Sequence, residues 1–309
     1  MLLIFLVVFI TQVFSEFRFS VIAELAHVSE IAHKFCVSSV PIDSRFQSEI
    51  AALVCAQNFF SEQEKNLYVA SGLIHLFVVS GSHFLLLESM LYNISGRNYK
   101  FKKAILILLL IYAFMCKLSP PVCRSFISLS INQFLYSMNI RWTAHYLILS
   151  AGLICLLLNP DWACSVSLQL SWIAGLCIGS TAAFNNPRQI LFRQWQIFLL
   201  MFPTISFFQT PSFSGILSNI FLAPLLEIFL FPAALIVCIF NSLYPLFDEI
   251  MQAFRQILIS FEFKTIPNLN SIPDALIYWN WVLILFLHLF LHLKKITEVK
   301  ANLRNETKN

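Results

Sequence analysis

Long apolar runs separated by short polar ones fill this chain, and the runs set its architecture. They cover about residues 68–94, 104–118, 121–138, 143–158, 163–184, 193–209, 213–224, 225–241 and 276–293. A straight membrane span needs roughly 20 apolar residues, so the shorter runs must be tilted or re-entrant. Residues 16–66 are polar by comparison. Within them SVIAELAHVSEIAHKF and SRFQSEIAALVCAQNFF place apolar residues at helical spacing, which predicts two amphipathic helices at the membrane surface. Another amphipathic helix is predicted around Asp248 to Phe261. Met1 to Phe14 is apolar and ends in a small-residue site at Val13-Phe14-Ser15; without a basic start it reads as either a signal peptide or a first membrane helix.

Composition agrees with an all-α, polytopic membrane helix bundle with broken or re-entrant segments. Apolar residues make up 58% of the chain and charged ones 12%, with a mean hydropathy of +0.76. A soluble domain carries roughly twice that charged fraction. The net charge of +4 is too mild to mark a nucleic-acid binder by itself. The placement of Lys and Arg is more informative. Arg97, Lys100, Lys102, Lys103, Arg141, Arg188, Arg193, Lys294, Lys295, Lys300, Arg304 and Lys308 cluster between the apolar runs, and the positive-inside rule puts them in the cytoplasm. That topology requires 213–224 and 225–241 to form a pair of short spans or a re-entrant hairpin, with Pro224 and Pro232 as breakers. The expected organisation is a signal-like or first membrane helix at 1–15, an extracytoplasmic segment at 16–66, a membrane domain at 67–293 and a basic cytoplasmic tail at 294–309. Cys36 and Cys55 lie in the polar segment, and an extracytoplasmic location would permit a disulfide between them. The other six cysteines lie in apolar runs and read as small packed hydrophobes.

Against this background the segment GLIHLFVVSGSHF at 72–84 stands apart. Ionisable groups at membrane depth are costly and mark a partner or a water-filled path. A Ser-Gly pair is a frequent cause of kinks, and irregular backbone at that depth survives where it is buried in protein or lines a cavity. His75, Ser80, Gly81, Ser82 and His83 are therefore the candidate pathway lining, against the plainer reading of histidines that only pack helices. Arg124, in SPPVCRSFISLSINQF, either contacts phosphate or snorkels to the interface, with Pro120 and Pro121 in the helix's first turn. Glu227 requires a partner, and Arg124 or a histidine is the candidate. Gln169, Ser171 and Asn219 fit interhelical hydrogen bonding. His288 and His292 have a metal-compatible i, i+4 spacing but no third ligand, and read as interfacial residues. HxHxDH, GxSxG, HExxH and phosphate-loop motifs are missing, so no catalytic residue, metal ligand or cofactor is assigned and the chain reads as a non-enzyme.

Four segments in order resemble the membrane domain of the ComEC-type competence proteins, the DNA-uptake channels of naturally transformable bacteria. GLIHLFVVSGSHF is similar to that family's GLxHLLAISGLHV, and SPPVCRSF to its SPSVLRA. LNPDWACSVSLQLSWIAGLCI is similar to DPxxxxDxGFQLSFLAVLGI, and LSNIFLAPLLEIFLFPAAL to LANLLAVPLVGLLVLPLAL. By position His75, Ser80, Gly81, His83, Arg124, Gln169, Ser171, Asn219, Pro224 and Pro232 correspond to family residues. Ser82 and Glu227 depart from apolar positions, and the family's second aspartate before FQLS is missing, with Ser165 or Ser167 nearby. Larger members carry an oligonucleotide-binding-like and a metallo-β-lactamase-like domain. Neither 16–66 nor the 16 residues after Leu293 has room for one, so the membrane domain is expected nearly alone.

The resemblance implies an inner-membrane, multi-pass channel that passes single-stranded DNA to the cytoplasm in natural transformation. Its expected partners are single-stranded DNA, the lipid bilayer, a cytoplasmic motor and a separate nuclease, with a homo-oligomer open. Broken helices would also serve a small-solute or ion transporter. A non-transporting scaffold of the same fold is the third reading.

Overall fold

A computed structural model describes residues 15–71, 73–74, 77, 81–96, 98–179, 196, 199–201, 203–204, 221–222, 224–260 and 274–306. The described residues are overwhelmingly helical and no strand occurs among them, as the all-α expectation requires. It divides into two compact units: residues 1–126 with 205–270, and residues 127–204 with 271–309.

The first unit is built on α1 (Ser15–Ser38), α2 (Gln47–Cys55), α3 (Glu62–Ala70), α4 (Gly81–Ile94) and α5 (Lys102–Met115). It also holds the start of α6 (Pro120–Ser137), with α9 (Phe231–Ile239) and α10 (Tyr244–Ile259) from the later part of the chain. Helix α1 runs along α5, where Ser29 Oγ donates to Phe114 O at 3.0 Å and His33 Nδ1 meets Met115 O at 2.9 Å. Cys36 and Cys55 are joined in a disulfide that ties α1 to α2.

Helix α2 differs from the surface helix its periodicity predicts. Every residue from Glu49 to Cys55 is buried, because α1, α9 and the disulfide enclose what the pattern assigns to solvent. Ala56, in the left-handed region at φ 57°, ends the helix. Ser61 and Glu64 then start α3 with a reciprocal capping box, which satisfies two otherwise open N–H groups. Helix α10 matches the amphipathic pattern, burying Phe247, Met251, Phe254 and Leu258 on one stripe.

Pro232 does not break its helix as expected. Leu226–Leu230 forms a π-turn that runs directly into α9, and Phe231 N–H reaches back five residues to Leu226 O. The wider turn makes room for the proline ring and absorbs its missing N–H, a common use of π-bulges.

The second unit contains α7 (Ala144–Leu158), α8 (Val166–Gly179) and α11 (Asp274–Glu306), with a short 3-10 turn at Pro160–Cys164. Helix α8 packs against both α7 and α11 around Trp172, which is 1% exposed. Along α11 the positions Leu276, Asn280, Ile284, His288 and Leu291 are buried, while Tyr278, Val282, Leu285, Phe286, Leu289 and Phe290 are exposed. A helix whose outward face is this apolar suits lipid contact. Asp274–Thr297, 24 residues, is the one described helix long and apolar enough to cross a membrane.

Candidate functional site

Helix α3 ends at Ala70 and α4 begins at Gly81, so the expected break in the 72–84 segment is present. Leu73 and Phe77 between them are buried in the apolar core of the first unit. His83 and Phe84, in the first turn of α4, are also fully buried, and the His83 ring lies 4.5 Å from that of Phe231. The imidazole therefore faces protein and not lipid. His75 and Ser80 lie outside the described residues, as does the side chain of Ser82, whose backbone is in α4.

The start of α6 meets the start of α4. A Cβ added to Gly81 would collide with Ser125 Oγ, and Arg124 Nη2 lies 3.5 Å from that same point. Only the missing side chain of Gly81 allows this approach. Ser125 Oγ is held in place by donating to Pro121 O at 2.9 Å, four residues back. Pro120 and Pro121 sit in the first turn of α6 as expected, where a missing N–H costs nothing. Arg124 is 6% exposed, so it does not snorkel outward. Its guanidinium therefore lies against the first residue of α4. Glu227 is half-buried in the π-turn at Leu226–Leu230 of the same unit.

The uncharged polar candidates lie in the second unit. Gln169 is fully buried; its Nε2 donates to Ala163 O at 3.0 Å and Ile277 O at 3.3 Å, while its Oε1 accepts from Asn280 Nδ2 at 2.9 Å. Asn280 Oδ1 accepts in turn from Thr204 Oγ1 at 2.7 Å. Ser171 is half-buried on α8, and Asn219 lies outside the described residues.

Sequence reasoning passed over Asn280, although an amide in DALIYWNWVLIL carries the signal that singled out Gln169. It also passed over Glu49, a fully buried carboxylate that accepts from Tyr68 OH and Ser48 Oγ, each at 2.8 Å. Arg255 Nη1 lies 3.9 Å from Glu49 and 3.5 Å from Glu64. Burial pushes the Glu49 carboxyl above the usual carboxylate range, and the hydroxyl bonds counter only part of that. Nothing in the local pattern SRFQSEIAAL signals that burial. Among the described residues no group of three metal-ligating side chains converges.

No curated protein and no solved structure matches the chain. The family model described as "Competence protein" matches residues 53–294, which include Gly81, Arg124, Gln169 and Glu227. The chain therefore belongs to the competence protein family.

Proposed function

We propose that this chain is a multi-pass inner-membrane channel that passes single-stranded DNA into the cytoplasm during natural transformation. The observation that carries the reading is the convergence of Arg124 on the start of α4, just after the helix break. A guanidinium beside helix N–H groups suits a phosphodiester. In an apolar bundle one such locus gives the weak contact that passage demands, where a row of cations would stall a polyanion. His75, Ser80, Gly81, Ser82 and His83 are the proposed lining, with His83 turned inward.

The Cys36–Cys55 disulfide supports an extracytoplasmic place for 16–66, since such bonds persist in oxidising compartments. Residues 67–293 are the proposed membrane domain and 294–309 the cytoplasmic tail. A cytoplasmic motor and a separate nuclease would supply force and strand degradation.

Deletion of the gene followed by uptake of end-labelled DNA tests the reading. The deletion strain should bind DNA outside the cell and deliver no strand to the cytoplasm, and the intact gene should restore delivery. Normal delivery in the deletion strain would reject the channel. Loss of a small solute's uptake with DNA delivery intact would favour the transporter.

A further inference from the structure

A fully buried carboxylate in the first unit is left unused by the Arg124 site. Glu49 sits in the first turn of α2 and is 0% exposed. Its Oε1 accepts from Tyr68 OH and its Oε2 from Ser48 Oγ, each at 2.8 Å. One nitrogen of α10, Arg255 Nη1, lies 3.9 Å from Glu49 Oε1 and 3.5 Å from Glu64 Oε1. Two carboxylates thus share a single cation. Glu64 is fixed where it stands, because its Oε2 accepts from Ser61 N–H and Ser61 Oγ, each at 2.9 Å, in the cap of α3. With both carboxyls ionised the trio keeps one net negative charge, and a buried charge without full compensation is costly. A proton on Glu49 removes it.

The two hydroxyls on Glu49 are not equivalent. Tyr68 is fully buried; that burial and the adjacent Glu49 charge push its phenol far above the ordinary range, so it remains a donor. Ser48 is half-buried, and a serine hydroxyl can donate or accept. Oε2, beside Ser48, is therefore the oxygen a proton can reach. The Tyr68 ring in turn packs 4.2 Å from that of Phe77, within the 72–84 segment, and 5.2 Å from that of Phe60. Other ionisable groups of the packed helices are engaged elsewhere or exposed. Asp248 and Glu249 of α10 hold Arg45, and Glu30 of α1 pairs with Lys34 and Lys117. His33 of α1 meets Gln57, beyond the far end of α2, at 2.7 Å. Glu62 and Lys65 of α3 are exposed, and the one titratable side chain of α9 is Cys238.

We propose that Glu49 is a proton switch: a proton from water binds Oε2 by way of Ser48, whose hydroxyl turns from donor to acceptor, and Arg255 then serves Glu64 alone. One proton enters, and the charge of the trio goes from one negative to zero. Burial holds the Glu49 carboxyl above the usual carboxylate range, so loading begins at a higher pH than for a surface glutamate. Tyr68 keeps its bond to Oε1 but now donates to a neutral acid, a weaker bond than one to a carboxylate. Through the Tyr68 ring the state of Glu49 reaches Phe77.

Infrared difference spectra of the full chain in nanodiscs, recorded across a pH titration, test the switch. A carboxylic-acid C=O band should rise as pH falls, with a tyrosine signal of the same midpoint. Glu49→Gln should remove both, and Tyr68→Phe should remove the tyrosine signal and leave the acid band. Ser48→Ala should move the midpoint to higher pH, because the lost hydroxyl bond favours the carboxylate over the acid. Ser48→Ala leaves the carboxyl in place and decides the matter even if Glu49→Gln fails to fold. Spectra unchanged by Glu49→Gln, a midpoint unmoved or lowered by Ser48→Ala, or an acid band with no tyrosine signal beside it would each overturn the proposal.

Discussion

The two units bury polar groups of different kinds. In the first, the buried groups are ionisable and cross-braced: Asp248 accepts from Ser44 Oγ at 2.6 Å and from Arg45 N–H at 3.0 Å. Arg45 Nη2 also reaches Glu249 at 2.8 Å, and Glu49 sits under Arg255. In the second, the buried bonds run through neutral amides, an indole and imidazoles, from Thr204 through Asn280 to Gln169 and from Trp172 to His288. Charges are tolerated near water, where side chains such as Arg45 remain half-exposed. Within lipid a charge costs several kcal/mol, while a neutral amide asks only for a partner. The first unit thus braces buried carboxylates with cations and hydroxyls, while the second joins its helices through uncharged groups.

The largest expected effect strikes the first unit. Replacing Cys36 and Cys55 with Ser opens a loop of 19 residues, and such a cross-link contributes about 3 kcal/mol. A fall in thermal midpoint that reducing agent reproduces in the unaltered protein would bear this out; an unchanged midpoint would show that the brace is idle.

Next come the two glycines, one in each unit. Gly152→Ala drives a Cβ into the rigid ring of Trp172 and should cost about 2–3 kcal/mol, with little rescue available. Gly81→Ala meets the Ser125 hydroxyl, which rotates away at the loss of one bond worth about 1 kcal/mol. Ser125→Ala loses that same bond, so the double variant should be no less stable than Gly81→Ala alone, as a double-mutant cycle in nanodiscs would register. Equal losses at the two glycines would contradict the contrast.

Asn280→Leu strands Gln169 Oε1 and the Thr204 hydroxyl, for about 1 kcal/mol, the usual scale of hydrogen bonds between membrane helices. A thermal melt unaffected by it would remove the amide chain from the set of interactions that hold the second unit.

The smallest effect is a matter of pH. The Glu49 carboxyl titrates above its unfolded value, so its contribution is fully present below the unfolded pKa of about 4.3 and fades as pH rises through the folded one. Glu49→Gln should flatten the fall in stability that sets in as pH rises above the unfolded carboxylate value. A profile as steep as that of the unaltered protein would assign the slope elsewhere.

Periodicity and local chemistry made part of this fold legible in the sequence. Helix starts at Pro120 and Gly81, the amphipathic α10 and the break within 72–84 all leave marks within a few residues. Burial that depends on distant segments leaves none. The polar face of α2 disappears under α9 because those residues meet only in three dimensions. Pro232 reads as a breaker until the π-turn before it is seen. Of the candidate site, Gly81 and Arg124 were legible separately, but the contact between them is a property of the fold.

The central claim is that Arg124 serves passing phosphate and not merely the packing of α6. Delivery of labelled single-stranded DNA by Arg124→Lys and Arg124→Gln, at matched membrane levels of protein, tests it most directly. Lysine keeps the charge and loses the planar fork, so partial delivery is expected. Glutamine should abolish delivery with the protein still present. Full delivery by Arg124→Gln, or an equal loss of protein in both variants, would contradict the claim.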